Sequence, residues 1–416
     1  VTAAISRPSA RARVRACTRR VSVAAAVALV LTFQPAAAFD TRATAAYVLD
    51  QTTGTVLLAK NADEPLPPAS MSKLMTLYMA FEAVERGKQN GGLDLVEKLP
   101  VSEHAMSYGG STMFLDTTDR VSVEDLIRGI IVLSGNDASA VIAEALSPDG
   151  TEYGFARLMT QRAQQMGMTN STFANSNGWP QAGHLMSVRD LGLLANRIIS
   201  DYPQFYPLFA EREFAFDGRA PQNKSNRNPL LGLGIGADGL KTGHTAEAGY
   251  GLVGSAKQGD RRVIFVLSGL DSAAARAQEA ESVVNWAFRQ FTQRDLGAAG
   301  SRIAEAPVAL GTTQSVGLEL KDDLSMLVPG TGGDEIEAEV IYTGPFQAPI
   351  SKGDELGELV VDRGELPAMR VPLVASASIA PGGFMVKMTA AALHLMNRLN
   401  AGPQAAPEVE AEAEAS

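Results

Sequence analysis

The sequence predicts an α+β fold, a sheet flanked by helices, followed by a small β-sandwich and an amphipathic helix. Three observations carry this. Two β-rich runs lie near the N-terminal end and others between Gly239 and Leu270, so strands from both ends of a helical region can share one sheet. The residues between them show helical texture with cap and stop signals. Beyond about residue 298, short alternating runs separated by Gly, Pro and Asp turns take over. With 416 residues, 45% hydrophobic and 20% charged, the chain can build a sizeable core and more than one domain. A formal net charge of -10 excludes a general nucleic-acid binder, which needs clustered Lys and Arg to face phosphates.

Residues 1–38 read as a signal peptide: Arg7, Arg11, Arg13, Arg15, Arg19 and Arg20 precede the apolar run Val21 to Phe33, and Ala36 and Ala38 form an A-x-A site before Phe39. The run is short for a retained membrane span. Arg19 and Arg20 leave open whether export is general or twin-arginine. Cys17, the single cysteine, falls in this segment, and His104, His184, His244 and His394 show no metal-ligand spacing, so no cofactor or metal is expected.

Residues 39–297 form the first folded domain. Thr44 to Lys60 gives a hairpin around a Thr-Thr-Gly turn. Ser70 to Arg86 reads as a buried helix stopped by Gly87, Ser122 to Asp125 as a capping box opening a helix through Leu133, and Tyr153 to Gly167 as another helix. Paired strands between Gly239 and Leu270 precede a helix from Ala280 to Phe291. Residues 298–376 form the β-sandwich. In 377–400, Phe384, Met388, Ala392, Leu395 and Leu399 share one helical face opposite Lys387, His394 and Arg398, the pattern of a helix lying in a membrane interface or packed on its own domain or a partner. The Glu-Ala tail, 401–416, is too polar to bury.

Three short elements carry chemistry. Ser70 and Lys73 stand three apart, which on a helix brings hydroxyl and amine within reach. A serine hydroxyl needs a base, and a lysine serves once burial and a second cation hold it neutral. Alone, S-x-x-K is a chance pattern. Ser134-Gly-Asn136 after an apolar helix, then Lys241-Thr242-Gly243 at the start of a strand, complete an ordered acyl-transfer signature.

With these motifs and the segments around them (P-A-S-M-S-K-L-M-T, G-S-T-M-F-L, V-L-S-G-N-D-A-S and D-G-L-K-T-G-H-T-A-E-A-G-Y-G-L-V) the chain resembles the serine D-alanyl-D-alanine carboxypeptidases of the low-molecular-mass penicillin-binding class, over nearly its whole length. The resemblance implies a β-lactamase/transpeptidase-like catalytic domain, a peptidoglycan pentapeptide substrate, acylation by β-lactams, and a place on the periplasmic side of the bacterial inner membrane, with 384–400 as a peripheral anchor. It implies that Ser70 attacks the bond between two D-alanines while Lys73 takes its proton. Ser134 would relay a proton to the leaving amine, and Asn136 would orient Lys73 and bind the substrate amide. Lys241, Thr242 and Gly243 would receive the substrate, with the backbone of Ser70 and His244 holding the oxyanion. Arg227 and Arg276 match basic positions of the family and are candidate carboxylate ligands or surface charges.

Three rivals follow from the same motifs. A class A β-lactamase needs a glutamate between the second and third motifs, and no E-x-x-x-N occurs between Asn136 and Lys241. The middle motif also reads S-G-N where that pattern has S-D-N. An endopeptidase shares the chemistry, and a wall-binding scaffold would keep the pocket without using it.

Overall fold

The computed structural model describes residues 39–329, 337–363, 366–386 and 388. The signal segment, the acidic tail and most of the amphipathic helix lie outside the described residues. The chain divides into two compact units between Thr292 and Gln293.

In the first unit the chain forms β1 (Ala45–Asp50), β2 (Thr55–Lys60), α1 (Lys73–Arg86), β3 (Lys98–Pro100), α2 (Glu103–Met106), β4 (Arg120–Ser122), α3 (Val123–Arg128), α4 (Asn136–Leu146), α5 (Glu152–Gln165) and α6 (Val188–Asp201), then β5 (Ala237–Thr245), β6 (Gly249–Gln258), β7 (Arg261–Leu270) and α7 (Ala273–Gln290). Five strands make one antiparallel sheet in the order β2-β1-β7-β6-β5. The hairpin at the N-terminal end therefore docks beside the last strand of the unit, as the strand runs at both ends required.

Both faces of this sheet are covered, which explains why β7 reads as an unbroken apolar run rather than an alternating one. Ile264 and Val266 face a core shared with Leu74, Leu77 and Phe81 of α1 and Val141 and Ile142 of α4. Val263, Phe265 and Leu267, pointing the other way, pack with Val283, Val284 and Ala287 of α7. The helical side is the thicker layer, and it carries the turn that holds Ser70.

Local chemistry sets the element ends and corrects three sequence expectations. Ser122, Thr151, Ser187 and Ser272 each accept a backbone N–H in the first turn of α3, α5, α6 and α7. Ser70 precedes α1, in a 3₁₀ turn over Ala69–Ser72. The helix opened by Ser122 does not run uniformly to Leu133: Gly129–Leu133 forms a π-helical turn, and Ser134 leaves it with φ 61. The last helix begins at Ala273, so Arg276 lies inside its first turn rather than before it.

The second unit is β-rich: β8 (Phe291–Gly297), β9 (Arg302–Ala309), β10 (Ser315–Leu320), β11 (Leu324–Pro329), β12 (Ala338–Ile341), β13 (Phe346–Gln347), β14 (Glu355–Arg363) and β15 (Leu366–Ala375). Six strands form one sheet, β12-β14-β15-β10-β9-β13, and β8 pairs with β11 in a second. Val316, Leu318, Leu359, Val361 and Leu373 build its own core.

Candidate active site

Four segments meet at Ser70. The first is its own turn, in which Ala69 takes φ 49, an uncommon conformation for a residue with a Cβ. From this turn Lys73 enters α1 fully buried, and its Nζ donates to Ser70 Oγ at 2.8 Å and to the Asn177 carbonyl at 2.6 Å. Burial first, then the charge of Arg227, lower the amine from 10.5 to about 7, while the carboxylates of Asp137 and Glu152 pull the other way. At neutral pH much of Lys73 is thus unprotonated and can accept a proton.

The second segment is Ser134 to Asn136, delivered by the π-helical turn. Asn136 starts α4, and its Nδ2 donates to the Gly109 carbonyl at 2.8 Å. The expectation that Asn136 orients Lys73 is therefore corrected: the hydrogen bonds that hold the amine come from Ser70 and Asn177. Asp137, buried beside it, accepts from the backbone N–H of Met113 at 2.9 Å and of Leu115 at 3.1 Å, which pins the Ser111 to Leu115 loop to α4.

The third is β5, which bears Lys241, Thr242, Gly243 and His244. It is the outer strand of the sheet, bonded to β6 on one side. A Cβ at Gly243 would come within 3.0 Å of the Pro68 carbonyl and of Met71 Cγ, so glycine permits the close approach of the strand to the nucleophile turn. Lys241 is buried, and burial, together with Lys73, Arg227 and Arg276, lowers its pKa well below the usual lysine value. Arg227 NH1 donates to Ser111 Oγ at 2.5 Å. Arg276 lies 5.7 Å from the Tyr250 ring centroid, and its Nε is buried without a hydrogen-bond partner. The His244 ring stacks on Tyr250 at 3.9 Å.

The fourth segment, Ser176 to Trp179, was not legible as functional in the sequence, where Ser-Asn-Gly signals a turn and nothing more. Its anchor is the buried carboxylate of Glu152, which accepts from Ser176 N at 2.9 Å, Ser176 Oγ at 2.5 Å, Asn177 Nδ2 at 3.3 Å and Tyr108 OH at 2.6 Å, and contacts His104 Nε2 at 2.7 Å. Burial pushes this carboxyl up, but the donors more than offset it and hold it below its usual value. Gly178 has φ 82, and a Cβ there would fall 1.9 Å from the Ala69 carbonyl. All ten residues singled out in the sequence lie on the turn, the π-helix exit, β5 and the two flanking arginine positions. What they lack without the fourth segment is the group that holds Lys73.

Such a site can do acyl transfer: a hydroxyl with a neutral amine beside it, and basic groups converging on one end to receive an anion. Comparison with known proteins agrees. A family model described as D-alanyl-D-alanine carboxypeptidase matches residues 32–272, and one described as the C-terminal domain of penicillin-binding protein 5 matches residues 291–380. The chain is 34% identical over 346 residues to the D-alanyl-D-alanine carboxypeptidase DacC of Escherichia coli, covering 81% of this chain and 84% of that protein. It superposes on penicillin binding protein 5 of Haemophilus influenzae with a TM-score of 0.69 at 32% identity, covering 82% of this chain and 98% of the other. Penicillin-Binding Protein D2 of Listeria monocytogenes, solved in its ampicillin-bound form, matches 60% of this chain and 98% of its own at 31% identity and a TM-score of 0.53.

Proposed function

The chain belongs to the D-alanyl-D-alanine carboxypeptidase family, and from that premise we propose how its residues perform the reaction. The protein is a serine-type enzyme that hydrolyses the terminal D-alanyl-D-alanine bond of peptidoglycan stem peptides and is acylated by penicillins. Hydrolysis breaks the bond from which cross-linking would draw its acyl group, so the enzyme limits cross-linking.

The observation that carries the assignment of roles is the buried, 2.8 Å Lys73–Ser70 contact with the amine held at about 7. Ser70 Oγ attacks the carbonyl between the two D-alanines and its proton passes to Lys73 Nζ. The backbone N–H groups of Ser70 and His244 stabilise the oxyanion; a fixed donor of this kind is worth about a hundredfold or more in rate. Ser134 passes a proton to the departing amine, D-alanine leaves, and water resolves the Ser70 ester. Asn136 orients the substrate amide. The outer edge of β5 receives the peptide as an added strand, with Thr242, Lys241, Arg227 and Arg276 on its terminal carboxylate. The unpartnered Arg276 Nε supports that last assignment, since a buried donor without an acceptor costs free energy that a bound anion would recover.

Intact mass after incubation of residues 39–416 with a penicillin tests this, beside Ser70→Ala and an assay of D-alanine release. One stable adduct on Ser70 with D-alanine release is the expected result. Fast loss of the adduct with antibiotic hydrolysis would favour a β-lactamase, and neither adduct nor release would refute the reading.

Two further assignments rest on sequence pattern. Residues 1–38 direct export to the periplasmic side of the inner membrane, and the segment 384–400 rests in the membrane interface. No described helix is long and apolar enough to cross a membrane. Phe384, Met385 and Met388, all exposed, support the second assignment. Flotation with anionic vesicles, lost on removal of 377–416, checks it.

A further inference from the structure

His104 takes no part in the reaction as assigned, yet a continuous chain of contacts joins it to the base. Its Nε2 lies 2.7 Å from Glu152 Oε2, and the other oxygen of that carboxylate accepts from Ser176 N at 2.9 Å and from Asn177 Nδ2 at 3.3 Å. The Asn177 carbonyl in turn accepts from Lys73 Nζ at 2.6 Å. Tyr108 OH shares Oε2 with the histidine, at 2.6 Å, and Tyr108 adjoins Gly109, whose carbonyl takes the Asn136 amide at 2.8 Å. One buried carboxylate therefore ties the loop that holds the base to the loop that holds Asn136.

We propose that His104 is a positioning residue for acylation: its Nε2–H fixes the Glu152 carboxylate, and through it the Asn177 carbonyl that holds Lys73 against Ser70. The proposal rests on Lys73 being the base assigned above. The carboxylate has its acceptor sites filled on both sides, Oε1 by the loop and Oε2 by Tyr108 and His104. A donor lost from Oε2 leaves the carboxylate plane free to rotate, and Oε1 carries the loop with it. The contact with a carboxylate places a ring proton on Nε2, so the neutral ring donates as well as the charged one.

The ring is itself braced. Ser102 Oγ caps α2 by accepting the Ala105 N–H at 2.9 Å and donates to Glu144 Oε1 on α4 at 2.8 Å, and the imidazole meets the Tyr108 ring edge-on with centroids 5.4 Å apart. The His104 side chain is 52% exposed against 6% for Glu152, so the histidine is the solvent-side member of the network. The segment it steadies has no helix or strand to fix it: Ser176 to Trp179 is held by side-chain contacts. Two of these are independent of Glu152, since Thr76 Oγ1 donates to the Ser176 carbonyl at 2.6 Å and the Gly178 N–H to Asn175 Oδ1 at 2.8 Å. Loss of His104 therefore leaves the loop attached and displaces the base, a kinetic defect rather than an unfolding one.

The test is stopped-flow acylation of residues 39–416 by a fluorescent penicillin, resolved into the dissociation constant of the first complex and the first-order acylation constant. Wild type is compared with His104→Gly, His104→Leu and His104→Gln. The glycine and leucine variants are expected to lower the first-order constant by about tenfold, part of the loss that a full misplacement of a reacting group causes, with the dissociation constant within about twofold. His104→Gln keeps an N–H donor and should stay within about threefold of wild type. Imidazole added to His104→Gly at about pH 8.5, where it is neutral, should restore most of the rate through its N–H; 1-methylimidazole, a similar base without that donor, should not. Should glycine unravel the α2 turn, the leucine and glutamine pair still decides. An unchanged rate in His104→Leu, equal losses in His104→Leu and His104→Gln, a loss confined to the dissociation constant, or equal rescue by the two imidazoles overturns the proposal. Acylation of Ser70 without D-alanine release would instead count against the carboxypeptidase reading while these rates still decided this one.

Discussion

Lys73 can act as a base only while neutral, so acylation of Ser70 at low penicillin concentration should carry an acid limb centred at about pH 7, the value set chiefly by burial and then by Arg227. For one proton, about a tenth of the lysines are neutral at pH 6 and about nine-tenths at pH 8, so the rate should rise about tenfold between them. Two nearby charges move this limb in opposite senses. Arg227→Gln removes a cation that disfavours the protonated amine, so the limb shifts to higher pH; Glu152→Gln removes an anion that favours it, so the limb shifts to lower pH. Each shift should be up to about one unit, the usual effect of a single charge near but not touching a buried group. Stopped-flow acylation by a fluorescent penicillin over about pH 5.5 to 9 measures all three enzymes. Each profile is scaled to its own plateau, because Arg227 is also assigned to the substrate carboxylate and its loss lowers the plateau itself. The expected order of limbs is Glu152→Gln, wild type, Arg227→Gln. A flat profile below pH 8, or two shifts in the same direction, would refute the assignment of Lys73 as the base tuned by these charges.

Three other outcomes follow from the geometry. Gly178→Ala places a Cβ 1.9 Å from the Ala69 carbonyl at a φ of 82, so the Ser70 turn must move; acylation should fall by about a hundredfold while the circular dichroism spectrum is retained. Lys73→Met should stabilise the fold in a pH-dependent way. The amine is lowered from 10.5 to about 7, so its penalty on the folded state is complete below about pH 7 and fades as pH rises toward 10.5; after the loss of its two hydrogen bonds the gain in urea denaturation should be about 2 kcal/mol at pH 6 and should reverse to a loss of about 2 kcal/mol near pH 10. Asp137→Asn keeps the size but replaces one acceptor oxygen with a donor facing the Met113 and Leu115 N–H groups, which should cost about 2 kcal/mol by the same method.

How much of this could be read from the sequence depended on whether the signal was local. The β1–β2 hairpin, the cap at Ser122, and the continuous apolar run of β7 are each written in a few adjacent residues, and each formed as expected. Ser70 and Lys73 were legible because a helical turn joins them, although the turn under Ser70 is 3₁₀ and the α-helix starts only at Lys73. The Ser176 to Trp179 loop was not, because its role depends on contacts 104 residues apart for Lys73 with Asn177 and 24 apart for Ser176 with Glu152. No periodicity or spacing encodes such a meeting. The π-helical turn at Gly129–Leu133 escaped for another reason: its apolar residues are equally good in an α-helix, and it is the Ser134 exit that the wider turn serves.

Those unread features have a common location, and it follows from what the chemistry requires. Of six described non-glycine residues with positive φ, Ala69 and Ser134 are within the site and Phe114 lies on the loop that Asp137 pins beside it. Alanine and phenylalanine have no side-chain chemistry that favours this conformation, so each holds it because the surrounding contacts leave no alternative. For Ala69 that contact is Gly178, for Ser134 the π-helical turn, and for Phe114 the carboxylate of Asp137 on the flanking N–H groups. Together with a buried lysine held near neutrality they are unfavourable locally, and the sheet packed on both faces by the cores of α1, α4 and α7 supplies the stability that offsets them. Gly178 is thus the position where fold and reaction are coupled most directly: the residue that lets the fourth segment touch the nucleophile turn is adjacent to Asn177, whose carbonyl holds the base.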